Sequence, residues 1–287
     1  MRTASAAKIV PLCPKLPKGR AQRLLEGRED WGEIGVMDWR VEIIAHRGSA
    51  HLAPENTLGA FELGWQETTT CELDVRLTAD GRLVVIHDDT TKRTAGSDLK
   101  VAEHTLSDLQ RLDAGSSKAE KWRGEKLPSL EEVIAAMPED KKLLIEIKVG
   151  PEIMPELVRA VRASRKEKQL IFQSFFPWVC TEVKKEFPQL PVYLLIACNQ
   201  DAQTEAWAPT IYQAIMDTRK NGLDGISANN TPVIDAAAVQ AVHAAGLILN
   251  VWTVDQFDTA RRLLALGVDG IITNRPGWLR SQLGQAA

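Results

Sequence analysis

"VEIIAHRGSAHLAPENTLGAFELGWQ", residues 41–66, passes from one periodicity to another across a polar hinge. Val41 to Ala45 is a short apolar run that reads as a strand, and "TLGAFELGWQ" carries apolar residues at helical spacing. Where a nucleotide-binding sheet would place G-x-G-x-x-G after its first strand, this chain has two histidines, an arginine, a glutamate and an asparagine. Strand, chemically loaded loop and helix together make one unit of an α/β protein.

The unit recurs. "VEIIAHR", "CELDVRL", "LVVIHDD", "KLLIEIK", "LIFQSF", "PVYLLIA", "DGISAN", "LILNVWTV" and "DGIITN" read as nine strands. "SLEEVIAAM", "PELVRAVRASRKE", "WVCTEVKKEF", "DAAAVQAVHAAG" and "QFDTARRLLALG" read as helices between several of them. An open doubly wound sheet and a closed barrel both satisfy this alternation. A repeating region of about 245 residues, the missing glycine fingerprint and polar groups at many strand ends favour the TIM (β/α)8 barrel. Two irregularities are expected in it. Asp80-Gly81 joins the second and third runs as a hairpin, so the barrel is distorted there and no helix separates them. Residues 90–128 are too long for an ordinary loop and form a small insertion near the barrel mouth. Residues 1–38, rich in Pro, Gly and charge, read as a mobile or loosely docked extension, and 39–287 as the barrel.

Composition narrows the function classes. With 44% hydrophobic and 25% charged residues the chain is an ordinary globular protein. A net charge of -3 gives no reason to expect nucleic acid, so an anionic small-molecule substrate would have to be met by local cations. Cys13, Cys71, Cys180 and Cys198 show no C-x-x-C spacing, which argues against a zinc site or a disulfide framework and fits a reducing compartment. No apolar run approaches the roughly 18 residues of a membrane span, and the N-terminus lacks the hydrophobic stretch of a signal peptide. A cytoplasmic protein without an integral membrane segment is expected; oligomeric state is not readable.

In "CELDVRL", Glu72 and Asp74 are two apart on a strand and point the same way. Outward, they are merely solvated. Inward, they repel one another unless neutralised, and with Glu146 of "KLLIEIK" they make a hard oxygen site suited to Mg2+ or Ca2+. His46 and His87 each end an apolar run, so the fold brings two imidazoles to one rim, where one can serve as base and the other as acid. Hydrogen-bonded structural histidines are the alternative, and that reading is kept for His51, His104 and His243. Arg47 and Lys148 adjoin these groups and suit phosphate oxygens. Cation site, two imidazoles and two basic side chains are what phosphodiester cleavage requires. Lys148 alone would also suit a Schiff-base barrel.

The ordered set "HRG" and "PENT" (His46 to Gly48, Pro54 to Thr57), "ELDVRLTADGRLVVIHDDT", "LPSLEEV", "IEIK", "QSF", "VWTVD" and "TNRP" resembles the glycerophosphodiester phosphodiesterases from Trp39 onward. The resemblance implies a TIM barrel with a small insertion. It implies a divalent metal on Glu72, Asp74 and Glu146, His46 and His87 as acid and base, and Arg47 and Lys148 on the phosphate. The implied reaction gives sn-glycerol 3-phosphate and an alcohol, with a cyclic phosphate as a conceivable intermediate. Glu55 either supports the metal or braces its loop. Asn56 and Thr57 shape the loop and cap the following helix. Gln173 and Trp252 either fill the core or touch substrate. Three alternatives stay open: a related barrel cleaving lysophospholipids or other lipid head groups, a carbonyl-chemistry barrel using Lys148, and a non-catalytic binding barrel.

Overall fold

The computed structural model describes residues 41–284; the expected extension, residues 1–38, lies outside the described residues. The chain runs β1 (Glu42–Ala45), α1 (Leu58–Glu67), β2 (Thr70–Leu77), β3 (Leu83–Val85), α2 (Lys92–Ala95), α3 (Leu106–Leu109), α4 (Leu130–Ala136), β4 (Lys142–Ile147), α5 (Met154–Ser164) and β5 (Leu170–Ser174). It continues through α6 (Pro177–Glu186), β6 (Val192–Ile196), β7 (Asn199–Gln200), β8 (Trp207–Ala208), α7 (Ile211–Lys220), β9 (Gly225–Asn229), α8 (Ala236–Ala244), β10 (Ile248–Trp252), α9 (Phe257–Leu266), β11 (Gly270–Thr273) and α10 (Pro276–Gln282).

Eight strands pair in parallel in the order β1-β2-β4-β5-β6-β9-β10-β11, and β11 returns to β1, which closes the barrel. All nine strand-like segments of the sequence are strands. The ninth is β3, which folds back antiparallel on β2 with Leu77 opposite Leu83 and Val75 opposite Val85. The turn at residues 78–82 is closed by Thr78 N–H to the Arg82 carbonyl at 2.9 Å, and Gly81 takes φ +70, a conformation glycine adopts at no steric cost. With a hairpin there is no room for a crossover helix.

Barrel strands must be apolar on both sides, one facing the interior and one the helices. Ile44, Leu144, Tyr193 and Ile272 form one buried cluster, against which Ile171 and Trp252 pack. The segment from β3 to α4 has a satellite core of its own: Val84 and Ile86 pack with Val101, Leu106, Leu109, Ala114 and Leu127. That cluster explains how an insertion with only two short α-helices keeps its shape. Thr105 and Ser129 cap α3 and α4 in reciprocal capping boxes with Asp108 and Glu132.

Outside the insertion, four elements were not read from the sequence. β7 and β8 are two residues each and pair only with one another. Helix α7 leaves Tyr212 and Met216 exposed, which blurs its apolar stripe. Helix α10 is seven residues long and starts at Pro276.

Candidate active site

The C-terminal ends of the barrel strands carry the polar groups, where barrel enzymes place their chemistry. Glu72 and Asp74, both buried, point inward from β2, and Glu146 points inward from β4 in register with Asp74. The inward alternative is therefore the observed one. One carboxylate oxygen from each of the three lies within 4.8 Å of the others.

The loop after β1 is bent around this cluster. Arg47 and Gly48 have φ values of +52 and +76, and a side chain at Gly48 would place its Cβ 2.5 Å from the Ala60 carbonyl carbon. That turn lets the Arg47 N–H donate to Glu72 Oε2 at 3.0 Å while its side chain pairs with Asp74 at 3.2 Å and Glu55 at 2.8 Å. Thr57 accepts from the Ala60 N–H and caps α1 as expected. Asn56 does more than shape the loop: its Nδ2 donates to Asp74 Oδ2 at 2.9 Å.

Three buried acids side by side need positive charge. Lys148 Nζ is 2.5 Å from Glu146 Oε1 and 3.0 Å from Asp74 Oδ1, close enough for strong attraction, yet neither oxygen receives a well-directed hydrogen bond. Burial would raise the Asp74 carboxyl, but Lys148 and Arg47 outweigh it and hold it well below the usual range. Glu72 is pushed well up by burial and by Asp74 and Glu146, and Glu146 is pushed up to about 7 by burial and Asp74. The two side-chain cations leave this excess of negative charge only partly compensated. Three converging carboxylates with two oxygens lacking directed donors are a fitting donor set for a hard divalent cation.

The histidines differ in their partners. His46 Nδ1 lies 2.7 Å from Asn274 Oδ1, and Asn274 Nδ2 donates to Asp255 Oδ2 at 2.7 Å. The amide is thus oriented with its oxygen toward the ring, so Nδ1 carries the hydrogen and Nε2 of the neutral ring is left as an acceptor. Burial first, then Arg47, lowers the His46 pKa to about 4. His87 Nδ1 instead meets the carboxylate of Asp88 at 2.7 Å. Burial lowers the His87 pKa as well, with Asp74 and Asp88 opposing. Arg76, next after Asp74 on the same face of β2, donates through Nε to the His87 carbonyl at 2.9 Å.

A cavity of about 220 Å3 opens among these groups. His46, Arg47, Glu72, His87, Glu146, Lys148 and Gln173 line it on the polar side, with Phe175, Leu195, Trp252 and Ile272 supplying apolar wall. Gln173 is buried with its Oε1 unpartnered. Trp252 donates to the Ser227 carbonyl and meets Phe175 edge-on at 5.9 Å. Glu55 lies outside the three-acid cluster and pairs with Arg47 and Arg93. His51 and His104 are on exposed loops, and His243 meets Asp269 from α8. The sequence reading missed Asn274, Asp255, Asp88, Arg76 and Arg93. "TNRP", "VWTVD", "VIHDD" and "CELDVRL" contained the first four of these, but nothing in spacing alone assigns a hydrogen bond between distant loops.

A Schiff-base role for Lys148 does not fit. Such a lysine needs a depressed pKa, whereas Asp74 and Glu146 overcome the effect of burial and raise this one.

Closed parallel barrel and acid, imidazole and cation at its C-terminal mouth define the chain as a (β/α)8 barrel of enzyme type. Residues 46–278 match the Glycerophosphoryl diester phosphodiesterase family, and the chain belongs to that family. It is 37% identical over 243 residues to a glycerophosphodiester phosphodiesterase of Caldanaerobacter subterraneus subsp. tengcongensis, covering 82% of this chain and 94% of that protein. A glycerophosphodiester phosphodiesterase of Bacillus subtilis is 30% identical over 256 residues, covering 83% and 84%. Among solved structures, a phosphodiesterase of Oleispira antarctica in complex with the product sn-glycerol-3-phosphate superposes with a TM-score of 0.77 at 26% identity, over 85% of this chain and 97% of that one.

Proposed function

We propose that this protein is a cation-dependent phosphodiesterase that hydrolyses glycerophosphodiesters to sn-glycerol 3-phosphate and an alcohol. The observation that carries the reading is the convergence of Glu72, Asp74, Glu146, His46, His87, Arg47 and Lys148 on one cavity in a chain of this family. Mg2+ or Ca2+ held by Glu72, Asp74 and Glu146 would supply positive charge to the phosphate oxygens. Arg47 and Lys148 hold the phosphate from the cavity wall. His46 is the base: its ring is neutral near pH 7 and its free Nε2 takes the proton of the attacking hydroxyl or water. His87 is the acid: Asp88 at its Nδ1 offsets part of the lowering that burial imposes, and the ring, once protonated, gives its proton to the leaving alkoxide. The apolar wall at Phe175 and Trp252 faces the alcohol.

A second reading, hydrolysis of lysophospholipids, is favoured by Phe175, which lines the cavity and is 40% exposed, and by Trp178 at 55% a few residues on. Three buried free thiols, Cys71, Cys180 and Cys198, support a reducing, cytoplasmic setting. Among the described residues no helix is long and apolar enough to cross a membrane. The test measures glycerol 3-phosphate release from a panel of glycerophosphodiesters and lysophospholipids, with and without excess chelator. Release from the small diesters, lost on chelation and restored by Mg2+ or Ca2+, is expected. No release from any substrate would sink the assignment, and activity untouched by chelator would remove the cation.

A further inference from the structure

Arg93 does not line the cavity. It sits on α2, in the insertion after β3, and reaches back to two loops that do carry cavity groups. Its Nη1 and Nη2 donate to Glu55 at 2.6 and 2.9 Å, and its Nε and Nη2 donate to Asp88 at 2.7 and 3.0 Å. Each carboxylate has a second partner on the cavity side: Glu55 accepts from Arg47 Nη1 at 2.8 Å, and Asp88 meets His87 Nδ1 at 2.7 Å. One guanidinium, forked onto two carboxylates, thus stands one residue removed from both the phosphate-side arginine and the second imidazole. A fork of this kind fixes direction as well as charge, which a lysine at the same position does not. Arg93 is 46% exposed, and exposed ion pairs contribute little to stability, so stability alone does not account for a guanidinium forked onto two carboxylates. The same insertion grips the β1–α1 loop at two further points, through Lys118 Nζ on the Ala50 carbonyl and Trp122 Nε1 on the Leu52 carbonyl.

We propose that Arg93 is a positioning residue that fixes His87 and Arg47 relative to one another, acting through Asp88 and Glu55. The inference rests on the roles given to His87 and Arg47 under the proposed function. Asp88, left without Arg93, turns toward water and no longer sets the His87 ring. Glu55, left without Arg93, has Arg47 as its remaining partner and draws that guanidinium from the phosphate.

The test is steady-state kinetics on glycerophosphocholine with the activating cation present, for Arg93→Ala, Arg93→Lys, Asp88→Asn and the Arg93→Ala/Asp88→Asn pair. Misplaced supporting groups cost about 10- to 100-fold, and that loss is expected in kcat of Arg93→Ala, together with a rise in KM. The double variant should lose little more than the worse single one, because both act through the same bond. A residue of merely structural value would lower the melting temperature and leave the KM of the folded fraction alone. If Arg93→Ala melts far below the parent, the lysine variant decides: restored folding with low kcat supports the proposal, and fully restored kcat overturns it. Unchanged kinetics in Arg93→Ala, or losses that simply multiply in the double variant, also overturn it. His87→Ala separates the levels. If that variant is fully active, the catalytic reading beneath has failed; if it is inactive while Arg93→Ala is unimpaired, only the role of Arg93 has.

Discussion

Replacing Glu146 by Gln should stabilise the protein in excess chelator and weaken it as a cation binder. Glu146 is buried on β4 beside Asp74, and burial and Asp74 raise its pKa from 4.5 to about 7 despite Lys148 at 2.5 Å. At about 1.4 kcal/mol per pH unit, that difference amounts to about 3 kcal/mol. The sign follows from linkage: the folded state holds the proton more tightly than the unfolded chain, so stability from this group is complete below pH 4.5 and lost as pH rises through 7. Removing the charge restores it. With about 2–4 °C per kcal/mol for a chain of this size class, Glu146→Gln should melt about 6–12 °C above the parent at pH 8 in chelator. The gap should close toward pH 4. Saturating Mg2+ or Ca2+ should narrow the advantage, since a ligand at 100 times its Kd adds about 2.7 kcal/mol to the parent and less to the variant. Differential scanning calorimetry at pH 4, 6 and 8, with chelator and with each cation, measures all of this. Equal melting temperatures at pH 8 in chelator would refute the reasoning, as would a gap that persists undiminished at pH 4.

Two other predictions follow from the loop after β1 and its partner rim. His46→Ala and His87→Ala should each lower kcat by roughly 10²- to 10⁴-fold with little change in melting temperature; NMR should find the His46 ring titrating near pH 4, and titration near 6.5 or full activity in either variant would remove the assignment. Gly48→Ala should lose about 1–3 kcal/mol from backbone strain alone, and more from the 2.5 Å approach to Ala60, with activity falling as Arg47 shifts; an unaltered melting curve would show that the turn is not needed as described.

The fold was legible because barrel strands advertise themselves twice. Runs such as "KLLIEIK" and "DGIITN" are apolar enough to be buried on both sides, and each ends in the polar groups of the rim. The β2–β3 hairpin was legible for a different reason: Asp80-Gly81 is local turn chemistry, and Gly81 takes the positive φ it foretells. What escaped was structure whose cause is not local. α7 is held by Ile211, Ala214, Ile215 and Thr218 against the barrel, while Tyr212 and Met216 face outward, so its pattern is two apolar faces rather than one. The β7–β8 ribbon is only two residues a side, too short to show a period, with Asn199 and Gln200 exposed.

In the site, legibility followed distance in sequence from the strand ends. Glu72, Asp74, Glu146, His46 and His87 could be placed because strand periodicity fixes which way a side chain at the rim points. Their partners could not. Asn274 reaches His46 across 228 positions, and Arg93 comes to Glu55 from an insertion whose shape depends on its own small core. These partners set what the strand-end groups meet: an amide whose nitrogen is already given to Asp255 turns its oxygen to His46 Nδ1 and leaves Nε2 as the acceptor, and Asp88, pinned by Arg93, opposes the lowering of the His87 pKa by burial. Two histidines that are equivalent as letters at strand ends thus acquire different partners through residues brought to them by loops, and the proposed base and acid roles rest on that difference. On the proposed mechanism the division of labour between His46 and His87 is set by these tertiary contacts, so a substitution at Asn274 or Asp88 should alter it while leaving both imidazoles in place.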